Sequence, residues 1–326
     1  MTTKEKTAKS PLCEFGTEVR DTAYENHPVP AGPKDVLAPC DAERPMDPTA
    51  WTLTPKGYVS IGTPVSRLPP AVYEVTQPRD VLIFCACTIN TDSAVVFKQN
   101  THAKVLEEVT RFWGQESQYT RYGFLHRRGY LLYGPAGSGK SILVKQMISE
   151  CLELGGVAFM CSSPGLLSRG LALFRKVEPK RPVLCIFEDI DSIIREYGDR
   201  ELLGLLDGES QINNVLNLAT TNYPERLDPR IVARPRRFDQ VVKIDNPDMD
   251  TRLQFFTAKL PEPERAQEFA KATDKLSIAA LTEVIISVYC HKRPLGEASD
   301  ILRNLSEARP SSDQFVSTRC GFTGGK

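Results

Sequence analysis

YLLYGPAGSGKS, residues 130–141, decides how the rest of the chain is read. Four apolar residues run into a turn that carries three glycines in six positions, and Lys140-Ser141 opens the segment that follows. Glycine accepts backbone angles closed to other residues, so such a turn can curl until successive N–H groups point inward. A helix beginning directly behind it adds the positive end of its dipole, and together these hold a phosphate. The spacing G-x-x-x-x-G-K-S also supplies an ammonium, Lys140, for the outer phosphates and a hydroxyl, Ser141, for Mg²⁺. Gly134, Pro135, Ala136, Gly137, Ser138, Gly139, Lys140, Ser141 and Ile142 are therefore expected to line a nucleotide phosphate site.

Strand, turn and helix then repeat. YLLY (130–133), VAFMC (157–161), VLCIF (183–187), VLNLATT (215–221) and VVKI (241–244) are short apolar runs separated by helical stretches. Strands buried on both faces and joined by helices imply an α/β fold, here with a five-stranded parallel sheet. In such a sheet ligands sit beyond the carboxyl ends of the strands. The acids of IFEDID (186–191) would then lie beside the phosphate loop. Glu188 is expected in the Mg²⁺ shell, and Asp189 is expected to orient the attacking water. Asp191 precedes SIIREYG and is expected to cap the next helix.

Two further stretches bear on that rim. Asn222 ends ATTN and can sense a γ-phosphate through the same water. In LDPRIVARPRRFD (227–239) the arginines Arg230, Arg234, Arg236 and Arg237 cluster, with Arg226 just before. They form a solvated basic face, a nucleic-acid patch, or cations lent to a neighbouring subunit's γ-phosphate.

Outside this region the chain divides by composition. Residues 1–50 hold seven prolines and no periodicity, which predicts a disordered arm. Short β-type runs over 51–100 (AVYEV, VLIFCACTI, AVVFKQ) predict a small N-terminal β appendage. The nucleotide-binding core is placed at 101–250, opening with a helix whose Val105, Val109, Phe112 and Trp113 share one face. A helical lid is placed at 251–306, with Ile278, Leu281, Ile285 and Val288 in one stripe, and a flexible tail at 307–326.

Lys+Arg and Asp+Glu each total 41 in 326 residues, so no global field favours nucleic acid or an anionic membrane. The polar start MTTKEKTAKS has no secretory apolar core, and no apolar stretch is long enough to span a bilayer. Nine scattered cysteines, several inside apolar runs, read as small hydrophobes in a reducing, cytoplasmic compartment, with no structural metal.

The three motifs together resemble the AAA clade of AAA+ ATPases. GPAGSGKS is similar to Walker A, IFEDID to Walker B, and ATTNYPERLDPRIVARPRRFD (219–239) to the second region of homology; the resemblance covers about residues 120–305. It implies a P-loop core with a small helical lid, ATP and Mg²⁺, and a ring, usually a hexamer, that remodels or threads a macromolecular client. By position Lys140 and Ser141 are the Walker A pair, Glu188 and Asp189 the Walker B pair, Asn222 sensor 1, and Arg234 and Arg237 the arginine fingers.

RRGYLLYGPAGSGKS and the Glu–Asp order look most like the branch that holds the mitochondrial chaperone of respiratory complex III, with related ATPases in bacteria and phages. That places the protein in a bacterial cytoplasm, or a host cytoplasm if phage-encoded. Most members carry Asp then Glu, and many carry an aromatic pore loop where Ser168-Arg169-Gly170 falls here. A protein client is expected, with nucleic acid not favoured and no membrane anchor. Two other readings stand beside it. One is a slow nucleotide-gated assembly or DNA-loading switch, and the other is a small-molecule kinase, which leaves Asn222 and RRFD unexplained.

Overall fold

The computed structural model describes residues 50–54, 57–61, 65–78, 81–88, 101–207, 212–232 and 237–308. Residues 1–49 of the proline-rich arm, the AVVFKQ run, the expected tail from 309 on, Arg234 and Arg236 lie outside the described residues.

A two-stranded antiparallel ribbon comes first, β1 (Ala50–Thr54) and β2 (Gly57–Ile61). The main sheet takes β3 (Val72–Thr76), β4 (Ile83–Cys87), β5 (Arg127–Tyr133), β6 (Val157–Met160), β7 (Val183–Phe187), β8 (Val215–Thr221) and β9 (Gln240–Lys243). Its order is β4-β3-β6-β7-β8-β5-β9, parallel throughout except that β4 runs against β3 at one edge. All five expected strands are present, as β5 to β9.

The other two strands correct the expected domain boundary. β3 and β4 come from the segment read as an appendage, yet β3 pairs parallel with β6, opposing Val72 to Ala158 and Glu74 to Met160. Val72 is buried on one face of the sheet, and Tyr73 and Val75 are buried on the other. This hairpin is therefore an integral part of the core.

Helices cover both faces, as apolar strands require. α1 (Thr101–Trp113) and α3 (Lys140–Glu153) close one face, where Val105, Val109, Phe112, Leu143 and Met147 meet Leu132 and Leu218. The short α2 (Glu116–Arg121) leads into β5. α4 (Pro164–Val177), α5 (Ile190–Tyr197) and α6 (Asp199–Asp207) pack on the opposite face around Phe159, Leu167, Phe174 and Leu202. After the four-residue α7 (Pro229–Val232) and β9 the chain turns helical. α8 (Met249–Lys259), α9 (Ala266–Ala272), α10 (Ile278–Ile285) and α11 (Leu295–Ala308) build the lid around Phe256, Phe269 and Leu281. Ile285 and Val288 of the expected lid stripe are only half-buried there, because α10 gives way to a π-helical turn, Ile286–Cys290. Among the described residues no helix is long and apolar enough to cross a membrane.

A buried ion pair fastens the N-terminal segment to the core. Arg181 Nη1 donates to Glu178 Oε2 at 2.8 Å and to the Leu68 carbonyl at 2.5 Å. The Leu68 N–H donates back to Glu178 Oε1 at 2.9 Å. Burial pushes the Glu178 carboxyl up, but the Leu68 N–H and the Arg181 guanidinium outweigh it and hold the group below its ordinary value of 4.5. A carboxyl lowered on folding stabilises the native state above that value, and the contribution is lost as pH falls through the folded one. Glu178→Ala, which leaves Arg181 buried without its anion, is expected to cost about 3 kcal/mol in urea unfolding at neutral pH. The loss should shrink towards pH 3, and an unchanged loss across that range would separate the acid from the effect.

Candidate active site

Strand register gathers the motifs at one rim. Tyr133 opposes Thr221 and Phe187 opposes Ala219, so residues 134, 188–189 and 222 all leave the sheet at the same end. The phosphate loop sits there in a form that only glycine permits. At Gly134, φ is +150° and a Cβ would lie 2.1 Å from the Ile244 carbonyl oxygen. Gly137 and Gly139 have φ of +77° and +109°. Gly139 opens α3 with no side-chain cap, which leaves first-turn N–H groups for an anion.

Lys140 is 7% exposed and folds back into the loop, its Nζ donating to the Gly134 and Pro135 carbonyls at 2.9 Å each. Burial lowers its proton affinity, and the Asp189 charge opposes that shift. Ser138 Oγ is buried with no hydrogen-bond partner among the described residues. Ser141, on the first turn of α3, is exposed, while Ile142 packs against the lid core.

The acid pair lies beyond β7, whose five residues are all buried. Glu188 and Asp189 are both exposed. Partial withdrawal from water raises the Glu188 carboxyl, Asp189 raises it further, and Lys145 opposes both. Two adjacent exposed carboxylates, with the exposed hydroxyl of Ser141, fit Mg²⁺, a hard cation that takes one or two carboxylates together with phosphate oxygens. Glu188 and Ser141 would hold it.

Asp189 has φ 47° and ψ 56°, in the left-handed region, and its N–H donates to Thr220 Oγ1 at 3.1 Å. It occupies the N-cap position of α5 that was expected for Asp191. Asp191 instead lies buried in the first turn and accepts from Thr221 Oγ1 at 2.8 Å. The left-handed bend at 189 starts the helix two residues earlier than the sequence suggests.

Thr221 also accepts from the Tyr223 N–H at 3.0 Å, bracing the turn that carries the half-buried Asn222. Thr220 and Thr221 thus hold the acid turn and the Asn222 turn together. In the sequence they were visible only as hydroxyls at a strand end.

Two further contacts had no local signal. His102, buried on α1, places Nε2 3.3 Å from the Gly139 carbonyl, so that nitrogen carries the proton. Burial lowers the affinity of this imidazole for a second proton. From the lid, the Ala279 N–H donates to the Gly137 carbonyl at 3.2 Å.

Two expected placements change. Ser168-Arg169-Gly170 lies inside α4, which begins four residues after β6 ends. A Cβ on Gly170 would come within 2.7 Å of Val75, so this glycine admits β3. Arg237 is 5% exposed, and its guanidinium pairs with Asp207 and donates to the Arg230 carbonyl. It is turned into its own subunit and does not present a cation at the surface.

Residues 130–246 match the model of the ATPase family associated with various cellular activities (AAA). The chain is similar to the ATP-dependent zinc metalloprotease FtsH of Helicobacter pylori, 32% identical over 203 residues, which are 55% of this chain and 32% of that protein. It is 33% identical over 168 residues to FtsH of Rhodothermus marinus, covering 46% of this chain and 24% of the relative. The chloroplastic FTSH 5 of Arabidopsis thaliana is 32% identical over 198 residues, 54% of this chain and 27% of that protein. The chain therefore spans a third or less of the length of these relatives. The matched span contains both the phosphate loop and the acid pair, while β3, His102 and the lid contact at Ala279 lie outside it.

Proposed function

We propose that the chain binds ATP with Mg²⁺ and hydrolyses it at this rim, works as a homo-oligomeric ring, and uses the cycle to remodel a protein client. The convergence of Lys140, the Glu188–Asp189 pair and Asn222 on one sheet end, around a phosphate loop that only glycine can build, carries the reading. Bound magnesium would neutralise charge on the phosphates. Lys140 would exchange its two carbonyl partners for phosphate oxygens, and the uncapped N–H groups of α3 would orient them. Asp189 would hold the attacking water and accept its proton, with Asn222 aligning it.

The ring, most economically a hexamer, is supported by the AAA domain itself, and Arg234 is the residue proposed to reach the neighbouring site. RRGYLLYGPAGSGKS and the Glu–Asp order support a place in the branch of the complex III chaperone. A second reading, a nucleotide-gated switch with little turnover, is favoured by the helical setting of Ser168-Arg169-Gly170, which provides no aromatic grip on a threaded chain.

ATPase rate against protein concentration tests the ring. The rate per chain should fall on dilution, and Arg234→Ala subunits should regain activity when mixed with Lys140→Ala subunits. A rate per chain that is independent of dilution would remove the shared-site model.

A further inference from the structure

We infer that Asp191 is a positioning residue for the water-aligning turn: through the Thr221 hydroxyl it sets where Asn222 stands relative to Asp189. No step of the proposed hydrolysis uses this carboxylate, and a buried acid is costly unless it is held by polar partners. Asp191 is 9% exposed, in the first turn of α5, and its Oδ1 accepts from Thr221 Oγ1 at 2.8 Å. Arg195, one turn further along α5, stands 3.8 Å from Oδ2 with a 67% exposed side chain, so solvent screens that pair.

The direction of the bonds follows from the groups. A carboxylate accepts and does not donate, so the single hydroxyl proton of Thr221 is committed to Asp191. The hydroxyl's lone pairs are then left for the Tyr223 N–H, which donates to Oγ1 at 3.0 Å. Residues 221 and 223 flank Asn222, so one hydroxyl spans the turn that carries it. Successive strand residues face opposite sides of a sheet. Thr221 shares the side of Ala219, which packs with Ile190 and Ile193 of α5. Thr220 shares the side of Leu218, which packs with Leu143 of α3, and its Oγ1 takes the Asp189 N–H at 3.1 Å. The end of β8 therefore grips the start of α5 from both faces, at 189 through backbone and at 191 through a side chain. Loss of the second grip leaves the Asp189 turn in place and frees the Asn222 turn to shift.

This inference rests on the proposal that ATP is hydrolysed at the rim, and two readouts keep them apart. In the full chain, Thr221→Val keeps the side chain's shape and loses the hydroxyl, while Asp191→Ala removes the acceptor. Each is expected to lower kcat about 10²-fold, the effect of displacing a catalytic group by ~1 Å, with KM for ATP changed less than about threefold. Thr221→Ser retains the hydroxyl and should recover most of the rate. The double variant Asp191→Ala/Thr221→Val should be no slower than the poorer single one, because both break the same contact. Arg195→Ala should leave the rate near the parent's. Hydrogen–deuterium exchange over residues 219–226 reads the turn without nucleotide. It should quicken in Thr221→Val and Asp191→Ala and stay unchanged in Arg195→Ala.

A normal kcat in Thr221→Val, or exchange over 219–226 that it leaves unchanged, would overturn the assignment. So would Arg195→Ala matching the loss in Asp191→Ala, which would make the acid a partner of Arg195 instead. A loss confined to KM would place Asp191 in nucleotide binding and overturn it as well. If the parent releases no phosphate from ATP, the hydrolysis reading is lost, and exchange alone decides whether Asp191 holds the turn. If Thr221→Val does not fold, by its thermal unfolding midpoint, Asp191→Ala and Thr221→Ser decide: a slow first with an active second supports the assignment, and a normal Asp191→Ala ends it.

Discussion

Lys140→Ala is expected to reduce ATP turnover by at least 10²- to 10³-fold, about the cost of removing one fixed donor from a developing phosphate charge. The lysine is not a flexible surface cation waiting for ligand. Its ammonium is held inside the curl of the loop by the Gly134 and Pro135 carbonyls at 2.9 Å, with most of its stem buried. It is thus already withdrawn from water inside the loop, and binding exchanges its two carbonyl partners for phosphate oxygens. Fluorescent-nucleotide titration should show weakened ATP binding, with a thermal midpoint near that of the parent because the loop's glycine geometry is untouched. Turnover within tenfold of the parent would mean that the phosphates bind elsewhere.

Asp189→Asn should separate binding from chemistry. Both residues are among the few side chains that tolerate the left-handed region, because a short polar side chain can bond locally there, so the turn and its Thr220 contact should survive. The carboxylate is lost, and kcat is expected to fall about 10²- to 10⁴-fold, the usual worth of a positioned general base. ATP affinity should stay within a few-fold.

The same backbone accounts for the Glu–Asp order. A longer acid at 189 would face a left-handed penalty of about 1 kcal/mol or more, which Asp largely escapes. Exchanging the pair, Glu188→Asp with Asp189→Glu, should therefore lower stability by about that amount without accelerating hydrolysis. A large acceleration would instead favour the nucleotide-gated switch, in which the short arm at 189 restrains turnover. Phosphate release under saturating ATP, with unfolding followed in urea, reads both effects.

The phosphate loop, the acid pair and the strands β5 to β9 were legible in the sequence because each rests on local chemistry. A turn that needs φ above zero must use glycine, and a strand buried on both faces must be apolar throughout. The resting place of Arg237 in the single subunit was not legible, for the opposite reason. RRFD shows four adjacent residues but not their partners, and Asp207 lies thirty residues before Arg237. Whether an arginine faces solvent or an internal anion is settled by a non-local contact.

The β3–β4 hairpin was misplaced on similar grounds. VYEVT alternates like a half-exposed strand, and its partner β6 enters the chain 81 residues after Thr76, at Val157. Glu74 accepts from Ser162 at the rim. Asp191 looked like a cap because the left-handed bend at 189 leaves no trace in composition.

By itself the sequence determined a phosphate-binding turn between an apolar strand and a helix, with carboxylates at a neighbouring strand end, since spacing and residue type carry that chemistry without knowledge of distant neighbours. Only the tertiary structure decided which strands complete the sheet, that Thr220 and Thr221 hold the acid turn, that His102 and Ala279 grip the loop carbonyls, and that Arg237 is neutralised within its own chain. Each of those depends on groups brought together by packing across tens of residues, where burial and charge pairing outweigh any preference a short stretch can express.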